Sequence, residues 1–332
     1  MDRQTDITKR VLSGMQPSGL LHLGNLVGAL QNWVRLQDNY DCFFFVADWH
    51  ALTSGYADTS ALKNNIYNVL ADWLAAGLDP ERSTIFVQSM VKEHAELHVL
   101  LSMITPLSWL ERVPTYKEKQ ENVRGKDLGT YGFLGYPLLQ SADILIYRPE
   151  HVPVGVDQLP HLEITREIAR RFNHFYGDVL SEPEGLLTKY PKVPGVDGRK
   201  MSKSYDNCIY LCDPPEVVDK KIKTMITDPA RARRTDPGDP HVCPVFDLHK
   251  IFSADKELDS CAEGCRTAEI GCIDCKKVLI PHVLDILEPI YIKRQELIKH
   301  PEDLESVVRK GSQKAITVAS QTMEVVRKAM QI

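Results

Sequence analysis

Ser13-Gly14-Met15-Gln16-Pro17-Ser18-Gly19-Leu20-Leu21-His22-Leu23-Gly24-Asn25 leads from the apolar run Arg10-Val11-Leu12-Ser13 into a helical pattern beginning near Asn25. A strand that turns through glycines into a helix leaves free backbone N–H groups at the helix start, where an anion binds. Working outward, Cys42-Phe43-Phe44-Phe45-Val46 and Thr84-Ile85-Phe86-Val87 read as further buried strands. Between the first two runs Leu26, Leu30, Trp33 and Val34 share a helix face. Leu62, Ile66, Val69, Leu70, Trp73 and Leu74 do so between the second and third, and Gly77 supplies the stop. Near-continuous apolar strands joined by helices predict an α/β fold with a doubly wound parallel sheet, whose ligands lie at the carboxyl ends of the strands. The segment Gly14 to Gly19 falls there.

The chain has 332 residues and 43% hydrophobic content, enough for a substantial core and, by length, about two domains. A net charge of −5 excludes a generally basic surface, so any nucleic-acid contact must use local patches. No stretch reaches the roughly 18 apolar residues of a membrane helix, and Met1 to Asp6 lacks the apolar run of a signal peptide. The expectation is a cytoplasmic protein with no membrane association. Pro and Gly crowd Ser181 to Gly185 and Pro191 to Gly198, after which helical patterns dominate. Val278 to Ile298, kinked at Pro289, and Leu304 to Met330 are the longest of these. The expected division is 1–205 for the α/β unit with a helical insertion and 206–332 for an α-helical C-terminal domain.

Gly198-Arg199-Lys200-Met201-Ser202-Lys203-Ser204 is a basic loop able to close on polyphosphate. Two lysines there can neutralise a leaving pyrophosphate as the reaction proceeds. Taken alone it usually reads as a solvated loop, and His22 to Asn25 alone reads equally as a capped turn; together they point to one nucleotide site. His22 and Asn25 offer hydrogen-bond donors for phosphate oxygens.

Cys243, Cys265, Cys272 and Cys275 are spaced C-x21-C-x6-C-x2-C, which points to metal ligation. Spacing alone does not separate tetrahedral zinc from a 4Fe-4S cluster, and buried reduced thiols are the bland alternative. Cys261, one helical turn before Cys265, competes with it as a ligand. Arg231, Arg233 and Arg234, with Lys220, Lys221 and Lys223, are candidates for RNA backbone contact or a solvated face.

These motifs resemble those of the bacterial tryptophanyl-tRNA synthetases, class I aminoacyl-tRNA synthetases, over nearly the whole chain. Lys200 to Ser204 is similar to the second class signature, and His22 to Asn25 to the first with Asn in place of its last His. Ser13 to Gly19, Asp48-Trp49-His50-Ala51-Leu52-Thr53, Ala142 to Tyr147 and Val152 to Gln158 resemble further family blocks in the expected order. The resemblance implies a Rossmann-like catalytic domain, a C-terminal domain that binds the tRNA anticodon, and a homodimer.

It also implies the reaction of a tryptophan--tRNA ligase: attack of the L-tryptophan carboxylate on the α-phosphorus of ATP, with Mg²⁺, then transfer to tRNA(Trp). Such chemistry runs on positioning and charge stabilisation, so no protein nucleophile is expected. Carried over by motif, Gln16, Pro17, Ser18, Gly24 and Asn25 cradle ATP, Gly155, Val156 and Asp157 line its ribose and adenine side, and Val193 touches adenine. Lys200, Met201, Ser202, Lys203 and Ser204 clamp the phosphates, and Lys119 is a third catalytic cation. Asp143 meets the indole N–H, with Gln158 and Tyr136 completing the pocket. His50 is expected to be a satisfied structural histidine. A subset of the family carries a 4Fe-4S cluster on cysteines spaced like Cys243, Cys265, Cys272 and Cys275, with Zn²⁺ the alternative. A tyrosine-activating enzyme and a regulatory paralogue that binds tryptophan or RNA are the competing readings.

Overall fold

The computed structural model describes residues 9–113, 128–187 and 192–332. In chain order the strands are β1 (Arg10–Met15), β2 (Asp41–Val46), β3 (Ser83–Val87), β4 (His151–Val154) and β5 (Glu184–Leu187). They form one all-parallel sheet in the order β3-β2-β1-β4-β5. Helices precede or follow each strand, as parallel crossovers require. They are α1 (Leu23–Asn25), α2 (Gln31–Leu36), α3 (Asp48–Gly55), α4 (Leu62–Ala75), α5 (Glu93–Ser102), α6 (Leu107–Glu111), α7 (Tyr131–Leu134), α8 (Tyr136–Leu145) and α9 (Leu159–Tyr176). Beyond the sheet follow α10 (Pro215–Thr224), α11 (Pro244–Phe252), α12 (Asp255–Arg266), α13 (Cys272–Lys299) and α14 (Pro301–Met330). The α/β fold with a doubly wound parallel sheet and a helical C-terminal part is as expected from the sequence.

Strand periodicity divides the interior into two layers. On β2, Cys42, Phe44 and Val46 point to one face, where Trp33 stacks on Phe44 with ring centroids 4.7 Å apart. Phe43 and Phe45 point to the other, into a cluster with Phe86, Tyr147 and Phe172. The C-terminal helices join the sheet through these same two cores. Leu279, Val283 and Leu287 of α13 lie in the first, and Ala315, Ala319, Met323 and Val326 of α14 in the second. Gly311 is why α14 can lie on the outer edge of β3: a Cβ there would overlap the Ile85 carbonyl oxygen. The helix thereby covers a strand edge that would otherwise be open to pairing.

Two boundaries differ from expectation. The helix after the first loop starts at Leu23, with His22 as its N-cap, and widens into a π turn over Leu26–Leu30 before α2. Glycine at 24 and the cap at His22 move the start two residues upstream of the apolar pattern. α13 starts at Cys272, six residues before the apolar run begins, and includes Pro281 as well as Pro289. No described helix is long and apolar enough to cross a membrane.

Candidate active site

The strand order reverses between β1 and β4, so their carboxyl ends open a crevice at the switch point. A cavity of about 360 Å³ occupies it, lined by Gly14 near the end of β1 and Gln16 just after it, by Val152, Pro153, Val154 and Gln158 from β4 onward, and by His50, Tyr136, Asp143 and His161. Gly14 shapes the floor, because a Cβ there would sit 2.5–2.8 Å from the Phe45 ring. Asp143, Gln158 and Tyr136, expected together from the motifs, do meet here.

Asp143 is 1% exposed. Its Oδ1 accepts from His94 Nδ1 at 2.6 Å and its Oδ2 faces His50 Nε2 at 2.9 Å. Gln88 Nε2 bridges both oxygens at 2.8 Å. Burial alone would push the carboxyl up, but the charges of His94 and His50 and their hydrogen bonds hold it down at about 2. His94 is itself anchored, its Nε2 lying 2.7 Å from the Tyr147 hydroxyl. Gln88 is fixed from behind, its Oε1 accepting from Trp49 N–H at 3.1 Å. Gln88 and His94 were not among the candidates from sequence, and Tyr147 entered only as the end of the Ala142 to Tyr147 block. The available signal was the position of Gln88, a polar residue directly after the buried strand β3 and so at the ligand end of the sheet. His50 is satisfied, as expected, and it also lines the cavity through its bond to Asp143.

The second pocket, about 310 Å³, is lined by Met15, Gln16, Ser18, Leu21, His22, Asn25, Ser202 and Lys203. Thus the two sequence motifs, far apart in the chain, share one wall. The register that joins them is backbone: Leu23 N–H donates to Ile209 O at 2.8 Å and Leu211 N–H to Leu21 O at 2.9 Å. Lys203 Nζ donates to Ser18 Oγ at 3.2 Å. Lys200 is exposed beside the pocket, and Met201 is buried under the loop. Asn25 Oδ1 accepts from His22 N–H at 3.0 Å, which leaves its amide NH₂ as a donor. Burial, then the positive charges of Lys203 and Lys200, push the His22 imidazole down to about 4, so it is neutral near pH 7. Its Nδ1 is buried with no partner among the described residues. At Gly24 a Cβ would come 3.0 Å from the His22 ring, so glycine lets that imidazole pack against the turn.

Asn207, absent from the sequence reading, organises the lysine loop. Its Oδ1 accepts from Ser202 N–H at 2.8 Å, and its Nδ2 donates to Asp197 Oδ1 at 2.6 Å and to Lys200 O at 3.2 Å. The signal was the turn chemistry of Asp206-Asn207, with Asp206 in the left-handed region at φ 52°. Val193 packs in the core beneath the loop, 4% exposed, and its carbonyl accepts from Met201 N–H. Pro17 is buried in the first turn; Gly155 and Val156 follow β4, with Val156 exposed, and Asp157 lies in the Val156–Gln158 turn. Lys119 lies outside the described residues.

The cysteines gather at the far end of α13. Cys243 caps α11, Cys261 and Cys265 sit on α12, and Cys272 and Cys275 form the first turn of α13. Burial and the neighbouring sulfurs of Cys243 and Cys272 raise the Cys265 thiol against the opposing pull of Arg231. Cys275 is raised by its hydrogen bond with Cys261, then by burial and the charges of Cys261, Cys243 and Cys265. Among the described residues, the metal-binding atoms of His249, Cys261 and Cys275 form one group within 4.8 Å. Arg231, a candidate for RNA contact or a solvated face, is instead 8% exposed and donates to Ile270 O at 2.6 Å and to Cys265 Sγ at 3.7 Å. Arg233 and Arg234 are exposed.

A parallel sheet with one pocket at its switch point, next to a second built from a glycine turn and a lysine loop, is the arrangement of a class I aminoacyl-tRNA synthetase catalytic fold. Residues 6–288 match the family described as tRNA synthetases class I (W and Y), and the chain belongs to that family. It is 54% identical to the tryptophan--tRNA ligase of Thermotoga maritima, over 97% of this chain and 99% of that one. Identity with the tryptophan--tRNA ligase of Aquifex aeolicus is 46%, over 97% of this chain and all of the other. Among solved structures, the Campylobacter jejuni tryptophanyl-tRNA synthetase complexed with ADP and tryptophan superposes with a TM-score of 0.87 at 34% identity. That match covers 97% of this chain and 100% of that one.

Proposed function

We propose that this chain activates L-tryptophan with ATP and transfers it to tRNA(Trp). The observation that carries the reading is that Gln16 lines both pockets. An amino acid whose side chain lies against Asp143 therefore presents its carboxylate beside the phosphates held by the second pocket. Indole offers one donor and no acceptor, and the ionised Asp143 is an acceptor. Phenylalanine would leave that carboxylate without its ligand donor. Ser18, the Asn25 amide and Lys203 bind phosphate oxygens, Mg²⁺ arrives with the nucleotide, and Lys200 swings in as charge develops on pyrophosphate. Gly155, Val156 and Asp157 receive the ribose and adenine. No side chain attacks; the substrate carboxylate is the nucleophile.

Cys243, Cys265, Cys272 and Cys275 are assigned to a 4Fe-4S cluster, with Zn²⁺ as the alternative metal and Cys261 as the alternative ligand. Supporting this, burial and the neighbouring Cys243 and Cys272 sulfurs raise the Cys265 thiol, and Cys261, burial, Cys243 and Cys265 raise that of Cys275, a penalty that a bound metal would remove; Gly238 leaves room where a Cβ would come 2.7 Å from Cys265 Sγ. When bound, the group supplies a cross-link between the ends of α11, α12 and α13. Residues 206–332, with Lys220, Arg233 and Arg234 exposed, are assigned to the tRNA anticodon side. Val99, Met103, Leu107 and Tyr131, 50–71% exposed, offer apolar surface for a second copy in a cytoplasmic homodimer. Amino-acid-dependent ATP–pyrophosphate exchange tests the activity: exchange with tryptophan and not tyrosine is expected, and the reverse overturns the assignment.

A further inference from the structure

Asp72 is a lone carboxylate among apolar neighbours, 0% exposed on α4 between Ala71 and Trp73. Its partner comes from the other end of the chain. Arg294 of α13, 4% exposed, donates through Nε to Asp72 Oδ1 at 2.6 Å and through Nη2 to Asn68 Oδ1 at 2.6 Å. The second Asp72 oxygen accepts from the backbone N–H of Leu21 at 3.3 Å. Leu21 immediately precedes His22, and its own carbonyl is held by Leu211 N–H.

A buried ion pair is poor value as stabilisation, because desolvation offsets most of its attraction and apolar residues of similar size often serve as well. What an apolar pair could not do is accept the Leu21 N–H. We propose that Asp72 and Arg294 are a positioning pair for the ATP pocket, through which α13 fixes the turn that carries His22 and Asn25 opposite Lys203. The same helix bears Cys272 and Cys275 on its first turn, so one continuous helix connects the cysteine end of the molecule to the phosphate site. Burial pushes the Asp72 carboxyl up to about 6, against the opposing pulls of Arg294, Leu21 N–H and Lys203. Lys203 in turn feels Asp72 as a counter-charge, although its own pocket contact is Ser18. The inference rests on the activation reading and deepens it.

Three proteins test it by ATP–pyrophosphate exchange: Arg294→Met, Asp72→Asn, and the double variant Asp72→Leu with Arg294→Met. The double variant replaces the ion pair with apolar volume and is expected to melt close to the parent. Its kcat/KM for ATP should fall about 10- to 100-fold, the scale of a small misplacement at a reaction centre, while KM for tryptophan changes less than about twofold. Asp72→Asn keeps an acceptor for Leu21 and should lose less than the double variant in ATP use. A folded double variant with parental kcat/KM for ATP overturns the proposal, as does an equal rise in both KM values. Should the double variant not fold, Asp72→Asn against Arg294→Met decides: if both lose ATP use in step with their melting temperatures, the pair is only structural. Absence of exchange in the parent protein would instead overturn the activation reading itself.

Discussion

Substituting Asp143→Asn should erase much of the enzyme's sensitivity to the indole N–H. In the structure the Asp143 oxygens already face His94, His50 and a bridging Gln88, so an incoming N–H must take a lone pair that Gln88 now shares. A hydrogen bond to such a charged acceptor contributes about 1.5–3 kcal/mol, equivalent to roughly 10- to 150-fold in kcat/KM. The parent protein should therefore prefer tryptophan by that factor over an analogue with sulfur in place of the ring N–H. An amide acceptor is about half as strong, so in Asp143→Asn the preference should shrink to roughly 3- to 10-fold. The fold should survive at some cost in stability: the new NH₂ faces His50 or His94, either of which can shift its proton and accept, while Gln88 Nε2 loses one of its two acceptors. Pyrophosphate exchange with both substrates on both proteins completes the cycle. If the preference is the same in parent and variant, Asp143 does not read the indole.

Asn207→Ala removes three hydrogen bonds from the lysine loop and should raise KM for ATP about tenfold with a smaller change for tryptophan, measured by exchange kinetics. The His22 imidazole should titrate near 4 by NMR, and ATP should move it upward, since phosphate charge opposes the lysines that hold it down. Because that value lies below the unfolded one of about 6.5, its contribution to stability is present above pH 6.5 and is lost as pH falls toward 4. A downward shift with ATP would refute the placement of phosphate there. Gly311→Ala forces a methyl onto the Ile85 carbonyl and should destabilise by about 3 kcal/mol in thermal or urea unfolding; a neutral result would mean α14 does not lie on β3. Protein purified without oxygen should be brown and iron-loaded, and Cys265→Ser should lose the iron; a colourless, zinc-loaded parent would replace the cluster with zinc.

The fold was largely legible because its signals are local and periodic. Cys42 to Val46 alternates between two buried layers, and Leu62 to Leu74 carries an unbroken helical stripe ended at Gly77. The anion turn and the lysine loop were legible too, since glycines, a cap and paired lysines are chemistry written in consecutive residues. Asp143 was found through its motif and not through any pattern of its own.

What the sequence by itself determined, then, is the parallel α/β architecture, the place of the candidate site at the strand ends, and the two motifs whose residues meet in the second pocket. Only the tertiary structure decided that Gln88, His94 and Tyr147 hold Asp143, that Asn207 braces the lysine loop, that Arg231 turns inward to Cys265, and that Arg294 reaches Asp72. These partners come from separate elements, Asp72 and Arg294 being 222 positions apart. Periodicity reports which face of an element is buried; it carries no information about which distant polar group must be satisfied once that face has closed.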